Sequence, residues 1–335
     1  MSGATTPTER VDAILSAINV SGGEGAYLSD RLDRQPHEFG FRYQGNDYNL
    51  QAHVWTVTEA DREDDDEYRI QRTSDPPLER NPKGLSLLLG YFPEKKMIAG
   101  FDYEQEREYD GDSPSSYIRL WNFDNAEQDG LSFYQGNSGK ISVAIRPDHF
   151  LYYALNAGDI HRQGAHIVED LGEVVSGGSA EDLNVSSEDR TMDQTQVQER
   201  SRILRELEQY TRDARFRERV CQAYGYRCAV TGKQLSLIDA AHILPVSAGG
   251  PDEVRNGVCL SPTMHRAFDN ALIFLDTDCI LRLNEKKLEA LEAQNRGRGM
   301  DQIKPYLGDQ IHLPDREENH PHPGYIREAN ERRLI

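Results

Sequence analysis

Apolar residues at positions 11, 14, 15 and 18 of Val11-Asp-Ala-Ile-Leu-Ser-Ala-Ile18 recur at helical spacing and predict a short amphipathic helix. Ser21-Gly-Gly-Glu-Gly25 closes it. The pattern then changes. Phe39-Gly-Phe-Arg-Tyr43 alternates apolar with small or polar residues, as do parts of Tyr48 to Val57 and of Tyr117 to Trp121. That is the period of half-buried strands. Leu85-Ser-Leu-Leu-Leu-Gly-Tyr91 and Ile141-Ser-Val-Ala-Ile145 are apolar runs that predict buried strands. Asp61 to Glu67 reads as a charged loop. Residues 1–168 are therefore expected to form a β-rich domain of the α+β class. Residues 169–198 carry eight acidic residues against one Arg, with Gly, Ser and Thr between them, and predict an acidic flexible linker. A second domain is expected over 199–335. It opens with a long helix from about Gln198 to Tyr224, with Ile203, Leu207, Tyr210, Phe216, Val220 and Tyr224 roughly on one face. No internal repeat and no Gly-rich phosphate loop is found.

A chain of 335 residues agrees with two domains. No apolar run approaches 18 residues, so no membrane span is expected. The first ten residues lack a basic start and an apolar stretch, so no signal peptide is expected. The four cysteines, Cys221, Cys228, Cys259 and Cys279, form no C-x-x-C pair. Cys228, Cys259 and Cys279 read as buried small apolar residues, and the chain as a reduced, cytoplasmic protein.

Charge changes the picture. The first 198 residues hold 17 basic and 36 acidic residues, which accounts for the whole net charge of −19. From Glu199 onward the two signs balance. Lysines number 8 against 30 arginines. Few lysines on an acidic background predict a halophilic microbial source, where concentrated salt screens repulsion over ~3 Å at 1 M. Overall acidity disfavours nucleic-acid binding, although local placement decides it.

Chemically versatile side chains gather between 242 and 269. Ile238 to Pro245 reads as a short strand stopped by proline, with His242 near its end beside a Gly-Gly turn. Asn256 and Gly257 follow in a loop. Pro262 then opens a helix with an apolar stripe of Met264, Ala267, Phe268 and Ala271. His265 and Asp269 stand four apart, one helical turn, where an imidazole and a carboxylate can ligate one divalent ion.

The segment resembles an HNH endonuclease of the ββα-metal superfamily. The resemblance rests on Tyr224-Gly-Tyr-Arg-Cys-Ala-Val-Thr-Gly, Ala-Ala-His-Ile-Leu-Pro, Gly-Gly, Asn-Gly-Val-Cys-Leu and His-Arg-Ala-Phe-Asp in order, and is strongest over 215–285. The words match a subgroup found in restriction-type proteins. The resemblance implies a ββα-metal fold for the second domain. It implies that His242 is the general base that activates water, and that Asn256 fixes the geometry of His242. His265 would be a metal ligand, with Asp269 a further one. The implied cofactor is Mg²⁺ or Mn²⁺, stabilising charge on the phosphate and the leaving 3′ oxygen. Two departures stand out. Many relatives place a metal-binding residue just before the base, where this chain has Ala241, so more water or Asp239 must complete the ligand set. Many also hold a four-cysteine zinc. The corresponding pairs here are Cys228 with Thr231 and Ser261 with Met264, so no structural zinc is expected.

Other features are read more plainly. His320-Pro-His322 belongs to a proline-containing tail. Arg212, Arg215, Arg217 and Arg219 could contact phosphates, or form a solvated face paired with Glu206, Asp213 and Glu218. Arg215, Arg219, Arg255 and Arg266 are the DNA-contact candidates near the motif, and Arg69, Arg72, Arg119 and Arg146 those in the first domain. Trp55, Trp121, Tyr117 and Phe123 read as core before they read as a pocket for a flipped base. The expected activity is a metal-dependent DNA endonuclease of a restriction or defence system. Its partner would be double-stranded DNA, modified or not, cut by a homodimer. The alternatives are a degenerate DNA-binding module that keeps the fold and a non-specific nuclease effector.

Overall fold

Helix α1 (Pro7–Val20) starts on a capping box. The Thr6 hydroxyl accepts from the Glu9 N–H, and the Glu9 carboxylate accepts from the Thr6 N–H. Its buried face is Val11, Ile14, Ala17 and Ile18, the predicted stripe with Ala17 in place of Leu15, which is only partly buried. In this computed structural model the described residues are 5–60, 66–72, 78–108, 114–136, 139–181, 183, 194–235 and 237–334. The charged loop predicted at Asp61 to Glu67 lies mostly outside them. The chain divides into two units, Met1–Thr211 and Arg212–Ile335.

In unit 1, strands β1 (Glu24–Tyr27), β2 (His37–Tyr43), β3 (Asn46–Thr56), β4 (Thr58–Glu59), β5 (Glu67–Gln71), β6 (Leu85–Phe92) and β7 (Met97–Phe101) follow the helix. Then come α2 (Tyr103–Arg107), β8 (Ser115–Arg119), α3 (Leu120–Asp129), β9 (Leu131–Gln135), β10 (Ile141–Ile145), α4 (Phe150–Gln163) and α5 (Val168–Ser176). A seven-stranded sheet runs β1-β2-β3-β6-β7-β10-β9 and is antiparallel except where β3 meets β6. Strands β4, β5 and β8 form a second, antiparallel sheet.

Both faces of the large sheet are covered, and this explains the apolar runs. Leu87, Leu89, Ile98, Val143 and Ile145 join α1, α4 and α5 in one core. Leu88, Met97, Ala99, Phe101 and Ala144 point into another, with Ile70, Ile118, Phe123 and Ala126. Trp121 falls in α3 rather than in the strand that its alternation predicted.

The boundary differs from expectation. Residues 169–176 of the expected linker belong instead to helix α5, with Leu171, Val174 and Val175 buried. Asp170 is paired with the buried Arg200 at 2.6 Å. An amphipathic stripe was hidden behind a high count of acids. Helix α6 (Gln194–Ala223) gives Ile203, Leu204 and Leu207 to the unit 1 core, so the boundary lies after Thr211, within this helix, and not at 198/199. Residues 184–193 of the expected linker lie outside the described residues.

Unit 2 receives α6 from Arg212 onward. Strands β11 (Asp239–His242) and β12 (Gly257–Leu260) form an antiparallel hairpin, and α7 (Pro262–Asp269) packs on it. Strands β13 (Ile273–Leu275) and β14 (Leu281–Leu283) pair next, followed by α8 (Glu285–Ala293) and α9 (Pro323–Arg332). Phe216 and Val220 from α6, Ala241, Val258, Met264, Phe268 and Ile326 share one core. Cys228, Cys259 and Cys279 are buried in it too, as small apolar residues would be.

Candidate active site

His242 ends β11, opposite Gly257 at the start of β12. The turn between them is tied by one side chain. Asn256 is fully buried, and its Oδ1 accepts from Leu244 N at 2.9 Å. Its Nδ2 donates to Leu244 O and Pro251 O, both at 2.9 Å. The backbone continues the ladder, with Ile243 N donating to Asn256 O at 2.8 Å. Two glycines let this loop close. A Cβ on Gly250 would lie 1.9 Å from Leu244 O, and one on Gly257 2.3 Å from Val220 Cγ2.

That close approach of α6 to β12 brings Phe216 over His242. The two rings stack with centroids 3.8 Å apart and planes 8° apart. At the imidazole's edge, Nε2 lies 2.8 Å from Asp252 Oδ1. Asp252 Oδ2 in turn accepts from Arg212 Nε at 2.8 Å. Nearby, partial burial raises the Asp213 carboxyl above its ordinary value. The charge of Asp252 adds to this, while Arg212 and His242 oppose it.

One helix away, His265 stands between two carboxylates. Asp269 Oδ2 is 3.3 Å from its Nε2, and Asp239 Oδ2 is 3.7 Å from its Nδ1. Asp239 Oδ1 is held by Arg217 Nε at 2.8 Å. Two ligands at ~2.1 Å and a right angle lie ~3 Å apart, so the His265–Asp269 spacing suits one octahedral ion. An imidazole nitrogen with carboxylate oxygen and water is also a donor set for Mg²⁺ or Mn²⁺. The carboxylates face opposite nitrogens of the ring, so one ion bound to His265 shares it with only one of them. No group of three or more His, Cys, Asp or Glu side chains is gathered into a metal cage among the described residues. Ala241 is fully buried in the core and offers no ligand.

The ββα unit thus brings His242, Asn256, His265 and Asp269 onto one hairpin and its helix. Of the arginine candidates, Arg219, Arg255 and Arg266 are exposed and Arg215 is half-buried. Arg219 lines a cleft of about 440 Å³ with Gln222, Val254, Arg316 and Asn319. Arg212 pairs with Asp252 and Arg217 with Asp239. His320 Nε2 lies 2.9 Å from Pro314 O, and His322 caps α9. In unit 1, Arg72 is buried against Glu106 at 2.7 Å and Arg146 chelates Asp148, so both carry structure. Phe123 is fully buried and Trp55 stacks on His53, while Trp121 is exposed. Sequence reading missed Asp252 and Phe216 as partners of His242, and Arg212 as a partner of Asp252. No local pattern marked any of the three.

Residues 228–276 match the HNH endonuclease family, and residues 48–154 match the family described as Methylase-associated X1. Among solved structures, the chain is similar to one titled "Modification dependent TagI restriction endonuclease". The two are 14% identical, with 84% of this chain and 80% of that chain covered and a TM-score of 0.28. No curated protein matches.

Proposed function

We propose that this chain, a nuclease through the HNH endonuclease domain at residues 228–276, cuts double-stranded DNA in a restriction or defence system. The observation that carries the reading is the pinned imidazole of His242 on the hairpin whose following helix bears His265 and Asp269. His242 takes a proton from water. The oxygen attacks the scissile phosphorus, and the bond to the 3′ oxygen breaks. Asn256 holds the loop that sets the position of His242. His265 and Asp269 would hold a divalent ion, Mg²⁺ or Mn²⁺, with Asp239 as the alternative carboxylate. When bound, the ion supplies charge stabilisation at the phosphate and the departing oxygen. Arg215, Arg219, Arg255 and Arg266 contact phosphates and so fix register rather than sequence.

Unit 1 selects the site. Its match to a methylase-associated family supports a link to base modification. Cutting both strands needs two such centres, and a homodimer supplies them. The arginine-rich, lysine-poor acidic chain suits a salt-rich cytoplasm. The test is cleavage of unmodified, cytosine-methylated and hydroxymethylated DNA in high salt with each metal. Discrete fragments from one class of substrate are expected. Indiscriminate degradation of every DNA and RNA would instead favour a non-specific nuclease. Binding without cutting under any metal would favour the degenerate module, with Ala241 as the first suspect.

A further inference from the structure

We infer that Asp252 is the positioning residue of His242: it fixes the ring and holds the proton on Nε2, which leaves Nδ1 as the nitrogen that accepts a proton. The inference rests on the hydrolytic reading of this site and adds a residue to it. A neutral imidazole has one donor and one acceptor nitrogen, and the partner of one decides the role of the other. An ionised carboxylate only accepts, so at 2.8 Å from Nε2 it selects the Nε2–H form.

Three contacts make the arrangement more than a chance encounter. Arg212 holds the second oxygen of Asp252, so its carboxylate is fixed at both ends. Phe216 stacks flat on the imidazole and removes ring rotation. The carbonyl of Pro251, the residue before Asp252, is held by Asn256 Nδ2. Asn256 therefore reaches His242 through the loop that presents Asp252. The His242 and Asp252 side chains are only 21% and 18% exposed, so water competes weakly for the bond.

The test uses the full chain and two readouts. In single-turnover cleavage, Asp252→Asn is expected to lower the rate by about 100-fold or more, with substrate affinity within about threefold. Asp252→Glu should recover part of the rate, and Arg212→Gln should cost about tenfold or less. Nitrogen NMR of ¹⁵N-histidine-labelled protein should show His242 protonated on Nε2 in the wild type and that preference lost in Asp252→Asn. Thermal unfolding confirms that each variant folds. Wild-type rates in Asp252→Asn, or a wild-type ring protonated on Nδ1, would overturn the inference. Absence of cutting by the wild type with any divalent ion would sink the hydrolytic reading alone, because the NMR measurement still decides the pairing.

Discussion

Asn256 and Leu244 clasp each other in both directions: the side-chain amide accepts from the Leu244 N–H and donates to its carbonyl, each at 2.9 Å. A side chain here does what a strand partner would do, just where β11 has ended. Asn256→Ala leaves buried polar groups at Leu244 and Pro251 unmatched. The expected cost is about 2–4 kcal/mol, read as a lower urea midpoint with an unchanged slope. Asn256→Asp should cost at least as much, since a carboxylate cannot donate to two carbonyls.

The two glycines of the turn should respond differently. Gly250→Ala sets a Cβ 1.9 Å from Leu244 O and 2.8 Å from Asn256 Nδ2, so the loop must move. Cleavage should fall steeply and the melting temperature should drop. Gly249 has φ +85 with nothing within 4 Å of its added Cβ. Gly249→Ala should cost only about 1 kcal/mol and leave cutting nearly intact. Thermal unfolding and cleavage of both variants check this contrast.

Metal dependence should identify which carboxylate shares the ion with His265. Chelation of divalent ions by EDTA is expected to stop cleavage, and adding Mg²⁺ or Mn²⁺ should restore it. Asp269→Asn should raise the metal concentration for half-maximal rate by about tenfold or more. Asp239→Asn should raise it less, because Arg217 already holds one oxygen of Asp239. A metal titration of the cleavage rate gives both numbers. The reverse order would assign the ion to the Nδ1 side of His265.

In unit 1, Asp148 makes stability depend on pH. Burial pushes its carboxyl up, but the His149 imidazole, with Nδ1 3.0 Å from Oδ1, and the Arg146 guanidinium outweigh this and hold it well below the usual carboxylate range. A depressed folded value means that the stabilisation is complete above the unfolded value of about 3.9 and is lost as pH falls through the folded one. Asp148→Asn should therefore destabilise unit 1 by about 1–3 kcal/mol at pH 7, and by progressively less below about pH 4. Both tryptophans, Trp55 and Trp121, lie in unit 1, so denaturant unfolding followed by tryptophan fluorescence isolates the effect.

What could be read from the sequence followed the range of the interactions. His242, Asn256, His265 and Asp269 sit in local words whose spacing fixes a strand, a loop and a helix, and the structure places them so. Strands β6 and β10 were legible because burial on both faces leaves a continuous apolar run. Helix α4 was not, because Phe150 to Ala157 is buried nearly all round and shows no single stripe. Helix α5 was masked by its acids, although Leu171, Val174 and Val175 have helical spacing. Asp252 and Phe216 reach His242 from 10 and 26 positions away along the chain, through loop closure and helix packing that no local pattern encodes.

The role proposed for His242 is to activate water for metal-assisted cutting of DNA. Single-turnover cleavage of duplex DNA by the wild type and His242→Ala, with Mn²⁺ and with EDTA, tests it most directly. The wild type should cut with Mn²⁺ and not with EDTA, and His242→Ala with Mn²⁺ should be slower by about 10²–10⁴-fold yet as stable. Equal rates for the two proteins, or wild-type cutting that survives EDTA, would contradict it.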